Sequence, residues 1–225
     1  MKGTTLNVLD HGFVKLIDYM GDDLRCVNAA RISFAKIKEQ FDDKDDALLK
    51  YLAEHEHHSP FRHPQMTFHV KAPIFVFRQL VKHRIGSEIN EISGRYVDMS
   101  NTDYYVPDSF RKQAVNNKQG SEGQIELNED AKTIFLNACK HQVEQYKALL
   151  TLGVCKEQAR ALLPVGMYSE IYWTVSLQAI AHFIKLRKDG HAQKEIQDYA
   201  IALETIVTQL YPASMKYLMD ENNHV

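Results

Sequence analysis

The chain has 225 residues and 25.9 kDa, with 27 Lys+Arg against 29 Asp+Glu and 44% hydrophobic residues. A formal net charge of −2 argues against a nucleic-acid coat or a polybasic membrane binder, and the length suits one compact domain with a substantial core. Cys26, Cys139 and Cys155 are scattered without a CxxC pair, which excludes a disulfide framework.

Leu6–Asp10 and Phe13–Asp18 read as strands around His11-Gly12, followed by a helix over Asp23–Phe34 and a clearer one over Asp43–Glu56. No apolar h-region forms at the N-terminus, where Asp10, His11, Lys15 and Asp18 intervene, so no secretory signal is expected. Met66, Phe68 and Val70 alternate with Thr67, His69 and Lys71, the period of a half-buried strand. Pro73 then suits the first turn of a helix from Ile74 to about Arg84. Residues 85–109 read as a long charged loop, and Asn116–Gly123 as a mobile surface insertion. A long helix is expected from Asn128 to Leu152, stopped by Gly153, and a short one over Lys156–Leu163. Ile171, Trp173 and Val175 mark another strand, and helices follow over Ser176–Arg187 and Ala192–Leu210. The class expected is α+β, a mixed or antiparallel central sheet with a large helical portion, in one domain over 1–225. No segment approaches the ~18 apolar residues of a membrane span, and a cytoplasmic location is expected.

Two segments concentrate chemistry. His55-Glu56-His57-His58-Ser59-Pro60-Phe61-Arg62-His63, with His69 beyond, is rich in imidazole, but no HExxH pattern supports a metal site, and no metal is expected. Arg78 to Tyr96 holds arginines and a lysine beside His83, Glu91, Ser93 and Gly94. Guanidinium forks and backbone donors at glycine suit phosphate, so this segment reads as an anion site. Arg160 and Arg187 add later cations.

Lys82–Tyr96, KHRIGSEINEISGRY, resembles the RHRxxSxNExSxRY motif of the flavin-dependent thymidylate synthases. VNAARISF, HEHHSPFRH, TFHVKAPIFVFRQL, ARALLPVGMYSEIYWTVS and HFIKLRKDGHAQKEIQDYA match that family in order, with residues 111–130 the least characteristic. The resemblance implies FAD as cofactor, NADPH and methylenetetrahydrofolate as co-substrates, and dUMP as the nucleotide methylated to dTMP without a cysteine nucleophile. It also implies a homotetramer with shared active sites, and no nucleic-acid or membrane partner. By motif, His57, Ser59, Lys82, His83, Arg84, Glu91, Ser176, Gln178 and His182 would line the flavin site. Gln79, Ser93, Gly94, Arg95 and Arg160 would hold dUMP, with Lys82 and Glu91 reaching it. Arg187 would bind the uracil edge as the catalytic residue.

The chain departs from the motif in three ways. Lys82 replaces its first Arg, eight residues separate Arg84 from Ser93, one more than the commonest pattern, and Ser176 and Gln178 stand where Asn and Arg are usual. Two other readings use the same residues: a metal-dependent nucleotide hydrolase on the His55–His69 cluster, and an RNA- or nucleotide-binding module on Arg78–Arg95.

Overall fold

A computed structural model describes residues 1–220, so the last five residues of the expected 1–225 domain lie outside the described residues. Its strands are β1 (Thr5–Val8), β2 (Gly12–Met20), β3 (Gln65–Pro73), β4 (Ser87–Glu91), β5 (Arg111–Gln113), β6 (Ser121–Gln124) and β7 (Tyr168–Ser176). Its helices are α1 (Asp23–Arg31), α2 (Asp43–Glu54), α3 (Ile74–Leu80), α4 (Asn128–Thr151), α5 (Lys156–Ala159), α6 (Leu177–Lys188), α7 (Lys194–Leu210) and α8 (Pro212–Leu218). Five strands pair in the order β1-β2-β3-β7-β4, antiparallel at every step, which narrows the expected mixed or antiparallel sheet.

Alternation decides which face the sheet buries. Met66, Phe68 and Val70 are buried while Thr67, His69 and Lys71 between them are half-buried. Register aligns Leu16, Phe68, Trp173 and Ile89 across four strands, giving one apolar row under the helices. Trp173 lies edge-on to Phe183 of α6 at 5.5 Å, and α7 adds Ile196, Leu203, Ile206 and Val207. Tyr199 of α7 donates from its hydroxyl to the Lys71 carbonyl at 2.7 Å, clamping helix to sheet. α8 completes the layer, and the buried Asp23 carboxylate accepts from the Ala213 and Ser214 amides in its first turn. Among the described residues, no helix is long and apolar enough to cross a membrane.

Several expectations change. The loop expected over 85–109 contains β4, an edge strand whose Glu88, Asn90 and Glu91 are exposed, while Ser87 and Ile89 are half-buried opposite Val175 and Trp173 of β7. Trp173 Nε1 donates to Ser87 Oγ at 2.6 Å, a bond that polar composition cannot reveal. The expected insertion forms the turn of the β5–β6 hairpin, whose Arg111 reaches the buried Glu195. α3 stops at Leu80, so Arg78 and Lys82 do not share a helix face. The helix expected over Asp23–Phe34 ends at Arg31 and tightens into a 3₁₀ turn. α8 starts at Pro212, whose fixed φ suits a first helical turn, beyond the last helix expected over Ala192–Leu210.

One corner carries a buried charge. Asp45 is fully buried and pairs with Arg31 and Lys38, both at 2.5 Å, while Asn28 brackets the Lys38 backbone. Burial raises the Asp45 carboxyl, but the bonds from Lys38, the Asp42 amide and Arg31 outweigh it, and the net shift is downward. A lowered carboxyl contributes stability above its unfolded pKa and loses it as pH falls through the folded value. Asp45→Asn is expected to cost about 2–4 kcal/mol in chemical denaturation at pH 7. The same substitution should flatten the acid limb of the stability profile below about pH 4.

Candidate active site

The turn after α3 and the inner face of α6 meet in an open cavity of about 410 Å³. Lys82, His83 and Arg84 approach from the turn; Gln178, His182 and Arg187 approach from α6, at helical spacing that brings 178 and 182 one turn apart. Arg187 Nε donates to His83 Nε2 at 3.0 Å, which requires a neutral imidazole with its proton on Nδ1. Burial, the Arg187 charge and His182 together depress His83 to about 4. Phe183 at 5.0 Å and His182 at 6.0 Å wall in the ring. Burial also lowers His182, with His58 the next contributor. The half-buried Arg187 is lowered by desolvation but stays a cation.

Gly86 makes the turn possible. Its φ is +67°, and a Cβ there would lie 2.7 Å from Ser176 Oγ, so the turn can lie against the first turn of α6 only without a side chain. Ser176 itself is buried and accepts from the Ala179 amide as the helix cap. It does not line the cavity, unlike Gln178 and His182. A second cavity, about 490 Å³, continues along β4 with His83, Arg84 and Glu91 on its wall.

The nucleotide residues fall elsewhere. Gly94 packs against Arg160, where a Cβ would sit 3.3 Å from Arg160 Cδ, and Arg95 pairs with Glu157 at 3.7 Å. Ser93 Oγ accepts from the Arg95 amide at 3.3 Å. This group stands at the Glu91 end of β4, whereas Lys82–Arg84 and Arg187 stand beyond its Ser87 end. Five residues of strand separate them by about 17 Å. One chain therefore gathers Ser93, Gly94, Arg95 and Arg160, and separately Lys82, His83, Arg84, Gln178, His182 and Arg187, but not both groups around one point. Gln79, half-buried on α3, bonds to Gln193 at 2.7 Å.

His57 and Ser59 line a third cavity of about 510 Å³ with Phe34 and Tyr51. Tyr51 stacks on His55 at 4.1 Å and His69 pairs with Glu170 at 2.6 Å, so the histidine-rich segment is spread over separate contacts. Among the described residues, no group of three or more His, Cys, Asp or Glu is arranged to hold a metal ion. His58 Nδ1 is buried without a partner beside α6, a polar atom left for a ligand. Neither His58 nor the Gln193–Glu195 pair stood out in the sequence. A histidine among histidines and two polar residues at a helix start carry no distinguishing spacing.

Residues 15–213 match the family described as "Thymidylate synthase complementing protein". A flavin-dependent thymidylate synthase from Thermosipho melanesiensis is 43% identical over 96% of this chain and 93% of its own length. One from Thermus thermophilus is 46% identical over 92% and 76%. Among solved structures, a UMP/dUMP methylase PolB from Streptomyces cacaoi bound with 5-Br dUMP aligns with TM-score 0.83 and 32% identity, covering 94% of this chain and 96% of that one. The same methylase bound with 5-Br UMP aligns with TM-score 0.78 and 31% identity, over 93% and 94%. With the KHRIGSEINEISGRY stretch forming the cation-lined turn and β4, the chain belongs to the family of flavin-dependent thymidylate synthases, methyltransferase enzymes.

Proposed function

We propose that the chain methylates dUMP at C5, giving dTMP and tetrahydrofolate, with methylenetetrahydrofolate as carbon donor, NADPH as reductant and FAD as cofactor. The observation that carries this reading is a half-buried Arg187, oriented by a neutral His83, beside an open cavity ringed with cations. The solved relative bound with 5-Br dUMP supports the choice of nucleotide.

The donor set fits a flavin dinucleotide. Lys82 and Arg84 suit its phosphates, Gln178 and His182 its polar edges, and the unpartnered His58 Nδ1 lies beside them. When bound, FAD supplies the hydride chemistry that side chains lack. Ser176 contributes by capping and aiming α6, Glu91 by edging the neighbouring cavity, and His57 and Ser59 by closing the flavin and folate side from another surface.

Carbon C5 of uracil is a weak nucleophile. A fixed guanidinium at the N3/O2 edge stabilises the negative charge that builds as C5 attacks, and partial burial strengthens that interaction. Arg187 takes this role. Arg95, Arg160, Ser93 and Gly94 hold the nucleotide's phosphate and sugar, with Gln79, Lys82 and Glu91 completing the pocket. No thiolate is needed, and burial pushes the Cys26 thiol up to about 12 and raises Cys139.

The 17 Å separation along β4 supports an active site shared between copies, the nucleotide group of one chain facing the Arg187 group of another. The long α4 supports this too. It is largely exposed, with Ile134 outward, and an open groove of about 710 Å³ runs beside Leu162 and Val165. We therefore propose a homotetramer of single-domain subunits spanning 1–225, with residues 111–130 a variable insertion, working in the cytoplasm without membrane or nucleic-acid partners.

The purified protein should show a flavin absorbance band, oxidise NADPH faster with dUMP present, and release tritium from C5-labelled dUMP. Protein that stays colourless with added FAD overturns the reading. Arg187→Ala should lower dTMP formation by roughly 10²–10³-fold while flavin content holds, measured by single-turnover assay and absorbance. Because His83 is depressed to about 4, its bond to Arg187 should persist on acidification from pH 7 to 5 and fail only near pH 4, where a charged imidazole would face the guanidinium. An NMR titration of His83 reads this directly. A midpoint near its ordinary value would contradict it.

A further inference from the structure

Gln79 is not free to turn its amide. Its Nε2 donates to Gln193 Oε1 at 2.7 Å, and Gln193 Nε2 donates to Glu195 Oε2 at 2.9 Å. Glu195 is buried in the first turn of α7, where its other oxygen accepts from Tyr105 Oη at 3.2 Å and an Arg111 nitrogen at 2.8 Å. The two ends of a carboxamide have the same shape, so partners decide which end points where. A carboxylate only accepts. It makes Gln193 present its NH₂, which turns the Gln193 carbonyl toward Gln79. Gln79 must then present its own NH₂ and leaves its Oε1 as an open acceptor. Burial raises the Glu195 carboxyl, but the Arg111 bond, its own backbone amide and Gln193 outweigh this, and the net shift is downward. The anchor is therefore ionised at neutral pH.

We infer that Gln193, anchored on Glu195, is a positioning residue for dUMP. It fixes which end of the Gln79 amide is offered to the nucleotide, an acceptor for one of its N–H or O–H groups. The inference rests on the reading of Gln79 as a dUMP ligand. Tyr105 and Arg111 share the same carboxylate, so the loop before the β5–β6 hairpin and the hairpin base are held by the anchor that orders the amides.

Gln193 is exposed and its side chain caps no helix amide, so Gln193→Ala disconnects the relay without opening the core. In FAD-loaded protein this variant should raise the dUMP dissociation constant about fivefold, the loss falling on KM rather than kcat. Adding it to Gln79→Ala should cost nothing more, because Gln193 acts only through Gln79. A merely structural role would give independent, multiplying losses, and that result overturns the relay. An unchanged dUMP affinity in Gln193→Ala beside a weakened one in Gln79→Ala also overturns the relay and leaves the dUMP assignment standing. Unchanged affinity in Gln79→Ala overturns the assignment of Gln79 itself, and the relay with it.

Discussion

The pairing of β4 with β7 governs the arrangement of everything reactive in this chain. β7 lies between β3 and β4, fully buried at Ile171, Trp173 and Val175, and continues directly into α6. Its partner β4 is short and polar. What holds β4 is the backbone ladder, the Ile89 contact in the apolar row and the Trp173–Ser87 hydrogen bond. The turn bearing Lys82, His83 and Arg84 enters this strand, and the loop bearing Ser93, Gly94 and Arg95 leaves it. A single edge strand thus carries functional groups at both ends, and β7 delivers Arg187 through α6 at one of them.

The geometry at that end depends on the low basicity of a histidine. His83 stands half-buried among Phe183, His182 and Arg187, where desolvation and the neighbouring guanidinium both disfavour a second positive charge. Remaining neutral, it accepts from the guanidinium and fixes its direction. Orientation comes from a neutral acceptor, so the positive charge of the arginine is left unneutralised. A carboxylate in the same place would orient Arg187 equally well and cancel the field it exerts.

Much of this is legible in the sequence alone. Period-two alternation located β3 and β7, apolar spacing located α6 and α7, and the KHRIGSEINEISGRY stretch marked the cations. What stayed hidden shares a physical cause. β4 has Ser, Glu and Asn on a strand whose one apolar residue is Ile89, so its composition reads as loop; edge strands are polar because one side faces water. The β5–β6 hairpin is tied to α7 through Arg111 reaching Glu195, a contact across 84 residues that no local pattern encodes. Ser176 matched by position yet serves as a helix cap. His57 and Ser59 matched by motif yet line a different cavity of the same chain.

The length of β4 has a further consequence for inheritance of damage. The five paired residues of β4 set the Lys82–Arg84 turn and the Ser93–Arg95 loop at opposite ends of one strand, about 17 Å apart along it. Were the site shared between copies, as proposed, a lesion at one end of the strand and a lesion at the other would disable different surfaces. Two defective alleles expressed together would then yield mixed assemblies in which some sites draw both surfaces from undamaged ends, whereas both lesions on one allele would leave that chain with nothing to contribute. Under the proposed shared arrangement, whether such defects are in cis or in trans, rather than their number, would decide how much function survives.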